Sequence, residues 1–216
     1  MRRLIQPPVM KAAGLASLGT ALLCYPRFAL WNAPYPIWYL LLVVLLGGFV
    51  LWAFVFAWHL PFTGQPVFKL PIGLWLFTSA TLAGLAIAVG LHFILDPTFR
   101  IRTPADYPTS LEQWIGMTFF ALAFQPLFLT FAPLDWALRL FRRVWIAAGF
   151  TVLFGVGVMV LKTQSAPTAL PPAVFIELLV LRVVLASLAV YFYLRGGALL
   201  VGWWTFLLQL RHLLTL

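Results

Sequence analysis

The chain has 216 residues, of which 63% are hydrophobic and only 9% charged, and its mean hydropathy is +1.02. Soluble domains carry about 25% charged and about 45–50% apolar residues, and disordered chains are more polar still, so both classes are excluded. A net charge of +9 comes from basic residues scattered between apolar runs, which reads as membrane anchoring rather than nucleic-acid binding, and a lone Cys24 rules out a disulfide framework.

The remaining class is all-α, a polytopic membrane helix bundle of six to seven transmembrane helices. About 20 apolar residues cross a hydrocarbon core of about 30 Å at 1.5 Å per residue. Ala12 to Trp31 is long enough to cross, but Pro26 and Arg27 interrupt it, so it spans or lies along the interface. A secretory signal is the rival reading of this segment; no small-x-small cleavage site follows Cys24, which favours retention. Ile37 to Leu60 and Leu70 to Leu95 follow, the second ended by Asp96 and Pro97. In the loop after it, Ser110 is placed to cap a helix that starts near Leu111. Further spans run between Glu112 and Asp135, from Val144 to Leu161, from Ala173 to Leu194 and from Gly197 to Leu216. The chain thus divides into an N-terminal segment 1–36, a two-span hairpin 37–112 and a four-span core 113–216.

With seven spans and the N-terminus inside, Arg2, Arg3, Lys11, Lys69, Arg139, Arg142, Arg143 and Arg195 fall on one side. Arg27, Arg100, Arg102, Lys162 and Arg211 fall on the other. The bias makes the loop 134–143 cytoplasmic, with Arg139, Arg142 and Arg143 as membrane anchors, and a bacterial inner membrane is the expected location. An i,i+4 ion pair between Asp135 and Arg139 is expected beside this cluster.

Ionisable groups at membrane depth cost about 2.5–3.5 kcal/mol on insertion scales and normally face protein or water. Arg182 is nearly central in its span, as are Gln125 and Gln209 in theirs, which makes these three a candidate intramembrane binding cluster. Glu177 lies about 140° around the helix from Arg182, so the partner of Arg182 must come from another helix. Pro126 leaves the Leu122 carbonyl without an N–H, and Arg182 is expected to donate there or to Gln125. An interhelical polar clamp with no chemistry is the simpler reading of the same residues.

Glu177, His92 and His212 fall in one half of the bilayer. They are candidates for a proton relay, a hydrolytic site or a metal site, although no metal-ligand spacing joins them. No cofactor is predicted. Even so, Ala88-Val89-Gly90-Leu91-His92 matches the A-x-x-x-H spacing of light-harvesting helices, so His92 is a candidate ligand for a tetrapyrrole. His59 falls near the opposite face, out of reach of a porphyrin on His92. Gly149, Gly155 and Gly157 permit close helix approach.

From Gln113 to Leu216 the layout resembles the core of the CPBP family, the CAAX-prenyl-protease-like intramembrane glutamic proteases. FQPLFLTFAPLDWALRLFRR is followed by a basic turn, AAGFTVLFGVGVMVL, a helix ending YFYLRGG, and LLVGWWTFLLQL. The family's paired glutamates would fall on Gln125 and Pro126 and its arginine on Thr130. Its F-x-x-x-H motif would fall on Phe154 and Val158, and its last motif near Thr205 and Gln209. The titratable groups that activate water are thus replaced, and the resemblance implies an inactive relative that keeps the scaffold.

Three functions follow from these readings. The first is a non-catalytic membrane protein that binds lipid or serves as a subunit among other integral membrane proteins. The second is a hydrolase using Glu177, His92 and His212, and the third is a small subunit of an energy-transducing or pigment complex. A transporter has little support, because no broken-helix repeat is visible.

Overall fold

The computed structural model describes residues 3–31, 35–104, 107–164 and 171–216. All regular structure among them is helical. Among the described residues, six continuous helices are long and apolar enough to cross a membrane: α1 (Pro7–Leu30), α2 (Ile37–Thr63), α3 (Leu74–Arg102), α4 (Leu111–Phe141), α5 (Val144–Gln164) and a last stretch, Pro172–Leu214. This is an integral, multi-pass membrane architecture.

The last stretch is two limbs, because the chain turns back at Gly197 (φ 73°, ψ −173°). We call them α6 (172–196) and α7 (198–214). Phe192 and Trp204 lie on opposite sides of the turn, yet their ring centroids are 5.8 Å apart. One straight helix would hold positions twelve apart at about 18 Å. The Ala198 N–H leaves the helical ladder and donates to the Val67 carbonyl at 2.8 Å. At the other end of α7, the Gln209 carbonyl accepts from Trp114 Nε1 at 2.9 Å, near the start of α4. With the turn counted, the described residues form seven limbs.

Proline does not end the helices where the sequence predicts. The reading that Asp96 and Pro97 terminate a span is corrected: α3 runs on through a π-turn, Leu91–Leu95, into Asp96–Arg102. The Asp96 N–H reaches back five residues to the Leu91 carbonyl. The α-helical register then restarts, so Pro97 falls in a first turn, where an N–H has no intrahelical acceptor to lose. α4 repeats the device. After Pro126 a π-turn, Leu127–Phe131, passes the Ala132 N–H to the Leu127 carbonyl and leaves Pro133 in the first turn of Ala132–Phe141. Pro26 likewise lies inside α1 without ending it. Ser110 caps α4 as its sequence implies, accepting from the Gln113 N–H at 3.2 Å.

Small and hydroxylated residues set the helix contacts, since between apolar helices in lipid close packing and interhelical hydrogen bonds supply the attraction. Ser17 of α1 donates to the Leu45 carbonyl of α2, and Trp52 Nε1 donates to Thr20 Oγ1 at 3.0 Å. α3 meets α7 at Gly84, where a Cβ would come within 3.0 Å of Leu207, and Trp203 Nε1 donates to Thr81 Oγ1 at 2.9 Å. Within 37–112, α2 packs on α1 and the end of α4, whereas α3 packs on α7. Leu127, Leu134, Leu138, Phe192, Tyr193 and Leu200 form the centre of the bundle. Apolar side chains also cover the outside, and exposed Trp38, Trp75 and Trp145 sit at the starts of α2, α3 and α5, as interfacial indoles do.

At Gly197 a Cβ would stand 2.6 Å from the Val67 carbonyl oxygen on a backbone of positive φ. Replacement by alanine is expected to cost about 1–3 kcal/mol. The measurement is SDS-induced unfolding in mixed micelles, with Gly202→Ala, where a Cβ meets nothing within 4 Å, as the neutral control.

Candidate functional site

Helices α3, α4, α6 and α7 line a partly open cavity of about 420 Å³. Their π-turns face it: Leu91 and Leu95 line it from α3, and Leu129 and Thr130 from α4. Leucines and alanines of α6, with Val201 and Trp204 of α7, supply an apolar wall. Gln125, Arg182 and Gln209, singled out from the sequence on three different helices, all line this one cavity. Gln125 is exposed at its edge, Arg182 is half-buried and Gln209 is buried.

The expected partner of Arg182 is corrected. Its Nε donates to the Gly155 carbonyl of α5 at 3.1 Å, not to the Leu122 carbonyl or to Gln125. Gly155 is what admits the guanidinium, because a Cβ there would stand 3.2 Å from Nη2. Guanidinium has five N–H donors, and among the described residues Arg182 makes this single hydrogen bond and no ion pair.

The cavity's other charged wall lies towards the end of α7. Asp96 is buried and accepts from Tyr107 Oη at 2.9 Å and from Arg211 Nε at 3.2 Å. Arg211 Nη1 also donates to the Leu208 carbonyl at 2.6 Å, and the Arg100 guanidinium lies 5.3 Å from the Tyr107 ring centre. Burial, then the Asp96 charge and its hydrogen bond, hold the Tyr107 phenol well above its ordinary pKa, so at neutral pH it remains a donor. Lys162 also lines the cavity, so among the described residues its lining carries Lys162, Arg182, Arg211 and Asp96.

Of the other candidates, His92 and His212 come near each other, where the Leu91–Leu95 turn meets the end of α7, whereas Glu177 stands apart. Glu177 is exposed on α6 and does not line the cavity. His92 is half-buried on the α3 π-turn with its ring edge against Phe93, and its Nδ1 has no hydrogen-bond partner among the described residues. His212 is buried, its ring 5.3 Å from that of Tyr107. Among the described residues, no three His, Cys, Asp or Glu side chains are grouped to hold a metal ion. Arg142 and Arg143 are exposed and Arg139 half-buried around the α4–α5 turn, where Arg142 adopts a left-handed cap (φ 55°).

The expected Asp135–Arg139 pair is also corrected. Asp135 is 0% exposed and turns inward, where its Oδ1 lies 3.0 Å from His59 Nδ1, and its Oδ2 accepts from Tyr193 Oη at 2.9 Å. With Asp135 ionised, the carboxylate only accepts and the histidine proton lies on Nδ1. The sequence does carry a signal for this triad: alternating span directions put the end of α2, the end of α4 and the end of α6 at one face. Nothing in it brings Tyr193 specifically against Asp135.

No protein-family model matches the chain, and neither does any curated protein or solved structure.

Removing the buried carboxylate by Asp135→Leu strands His59 and Tyr193 and is expected to cost about 3–5 kcal/mol. Tyr193→Phe removes one donor to a charged group, worth about 1.5–3 kcal/mol. Arg139→Gln is expected to stay within about 0.5 kcal/mol, as for a surface substitution. Thermal unfolding in detergent ranks the three, and an Arg139 effect equal to that of Asp135 contradicts the inward geometry.

Proposed function

We propose that the chain is a non-catalytic integral membrane protein that holds a membrane amphiphile between α3, α4, α6 and α7, on a scaffold resembling that of the CPBP proteases. The observation that carries this reading is the cavity itself: apolar walls with a few convergent polar groups, which is how small-molecule sites are built. Its volume of about 420 Å³ lies within the range of about 300–1,000 Å³ typical of such sites.

Several positions at which the resemblance puts protease residues line the same cavity: Gln125, Pro126, Thr130, Thr205 and Gln209. None of them supplies a general base. The carboxylate in the lining, Asp96, is engaged by Arg211 and Tyr107. This favours holding a ligand over hydrolysing one. Lipid is favoured over a protein partner because the polar groups converge inside the bundle rather than on its outer face.

The orientation belongs to the same proposal. Lys11, Lys69, Arg139, Arg142, Arg143 and Arg195 lie towards the face where α1 starts, which we assign to the cytoplasm of a bacterial inner membrane. The Asp96–Tyr107–Arg211 cluster then lies towards the outer face.

Two measurements test this reading. Protein purified in a mild non-ionic detergent is expected to retain lipid by mass spectrometry, and Ala186→Phe, which fills the cavity, to lose most of it while staying folded. Equal lipid retention by the filled variant contradicts the assignment. In intact cells, a membrane-impermeant maleimide is expected to label Thr109→Cys and spare Arg142→Cys; the reverse pattern inverts the orientation.

A further inference from the structure

We propose that the amphiphile is a single-chain organic acid whose oxyanion is held by Arg182 and whose chain lies along the α6–α7 wall. This rests on the lipid-holding reading above and names the ligand class for it. Arg182 lines the cavity with one N–H given to the Gly155 carbonyl and no carboxylate of the chain against it among the described residues. At membrane depth a cation with unfilled donors calls for an acceptor, and the planar guanidinium matches a carboxylate with two parallel hydrogen bonds. Asp96 does not fill this role, because Arg211 and Tyr107 already hold both of its oxygens. Glu177 is exposed and outside the cavity. The missing acceptor therefore comes with the ligand.

The walls define the rest of the molecule. Leu185, Ala186 and Ala189 of α6 and Val201 and Trp204 of α7 line an apolar strip that continues from Arg182 towards the Gly197 turn. Leu178 and Leu181 line the cavity on the other side of Arg182, so apolar surface flanks the cation along the helix. About 420 Å³ is near the lower end of ligand-site volumes, which suits one alkyl or isoprenyl chain better than a diacyl lipid. Gly155 tunes the site indirectly. It leaves room for the guanidinium and, through its carbonyl, fixes Nε, so that the remaining donors are held in place before a ligand arrives.

The full chain, purified in non-ionic detergent and stripped of lipid, is titrated with hexadecanoate, with hexadecanol and with phosphatidylglycerol. Hexadecanoate is expected to bind saturably and at least about tenfold more tightly than hexadecanol of the same chain length, a step of about 1.4 kcal/mol. Arg182→Gln is expected to erase that preference, and Arg182→Lys to keep part of it. If Arg182→Gln does not fold, the acid-to-alcohol ratio of the unsubstituted protein decides alone. Equal binding of acid and alcohol, or an unchanged preference in Arg182→Gln, overturns the acid assignment while the lipid-holding reading stands. Phosphatidylglycerol binding as tightly as hexadecanoate overturns the single-chain assignment in favour of a diacyl anion. Folded protein that binds none of the three overturns the lipid-holding reading itself.

Discussion

Hydrocarbon offers a main-chain amide nothing to bond with, so every N–H and C=O at membrane depth must find its partner within the chain. This constraint explains how prolines are tolerated in α3 and α4. In each, a π-turn carries the mismatch, and the proline drops into the one stretch of a helix where an N–H is dispensable. It also explains how the chain turns at Gly197 with no loop. The amide released by the turn is taken by the Val67 carbonyl, and only a residue without a Cβ fits against that oxygen. Lys69 Nζ, donating to the Arg195 carbonyl at 3.0 Å, caps the end of α6 at the same point.

Polar side chains meet the same requirement in three different ways. Asp135 is sealed among His59 and Tyr193 and joins α2, α4 and α6 at one end of the bundle. Asp96 joins α3, Tyr107 and α7 at the other end. Arg182, between these levels, is given only a backbone carbonyl among the described residues. The two carboxylates thus have their acceptor capacity engaged within the fold, whereas the guanidinium keeps donors to spare. That asymmetry separates clamps that hold the bundle together from a group positioned to meet something else.

The spans were legible in the sequence because each is an apolar run between charges, and a run of about 20 apolar residues leaves the chain few alternatives. The gathering of Gln125, Arg182 and Gln209 was legible for a related reason: polar groups near the centres of separate spans must turn towards protein or water, and a bundle has one interior. The hydrogen-bond partners of Arg182 and Asp135 were not legible. Asp135 follows a proline and precedes three arginines, a pattern indistinguishable from a solvated helix end, and its burial depends on the π-turn that rotates Ala132–Phe141 relative to the first half of α4. Gly155 reads as a spacer between helices. Its carbonyl becomes an acceptor only because α6 crosses α5 at that level, a register that local periodicity does not encode.

The same two π-turns that rescue the prolines also shape the cavity. A π-turn holds one residue more than the α-helical turn it replaces and bulges locally, so Leu91–Leu95 and Leu127–Phe131 interrupt the smooth ridges that helices use to interlock. Where both bulges face α6 and α7, close packing fails and a void remains. A void walled only by leucine would lose contact energy with nothing to offset it. Here the void admits Arg182, which no tightly packed interface would accommodate, and the glycine opposite supplies both room and a carbonyl. Proline placement, helix irregularity, cavity and half-buried cation therefore form one chain of consequences. The residues that make the bundle foldable in lipid also leave a basic space inside it.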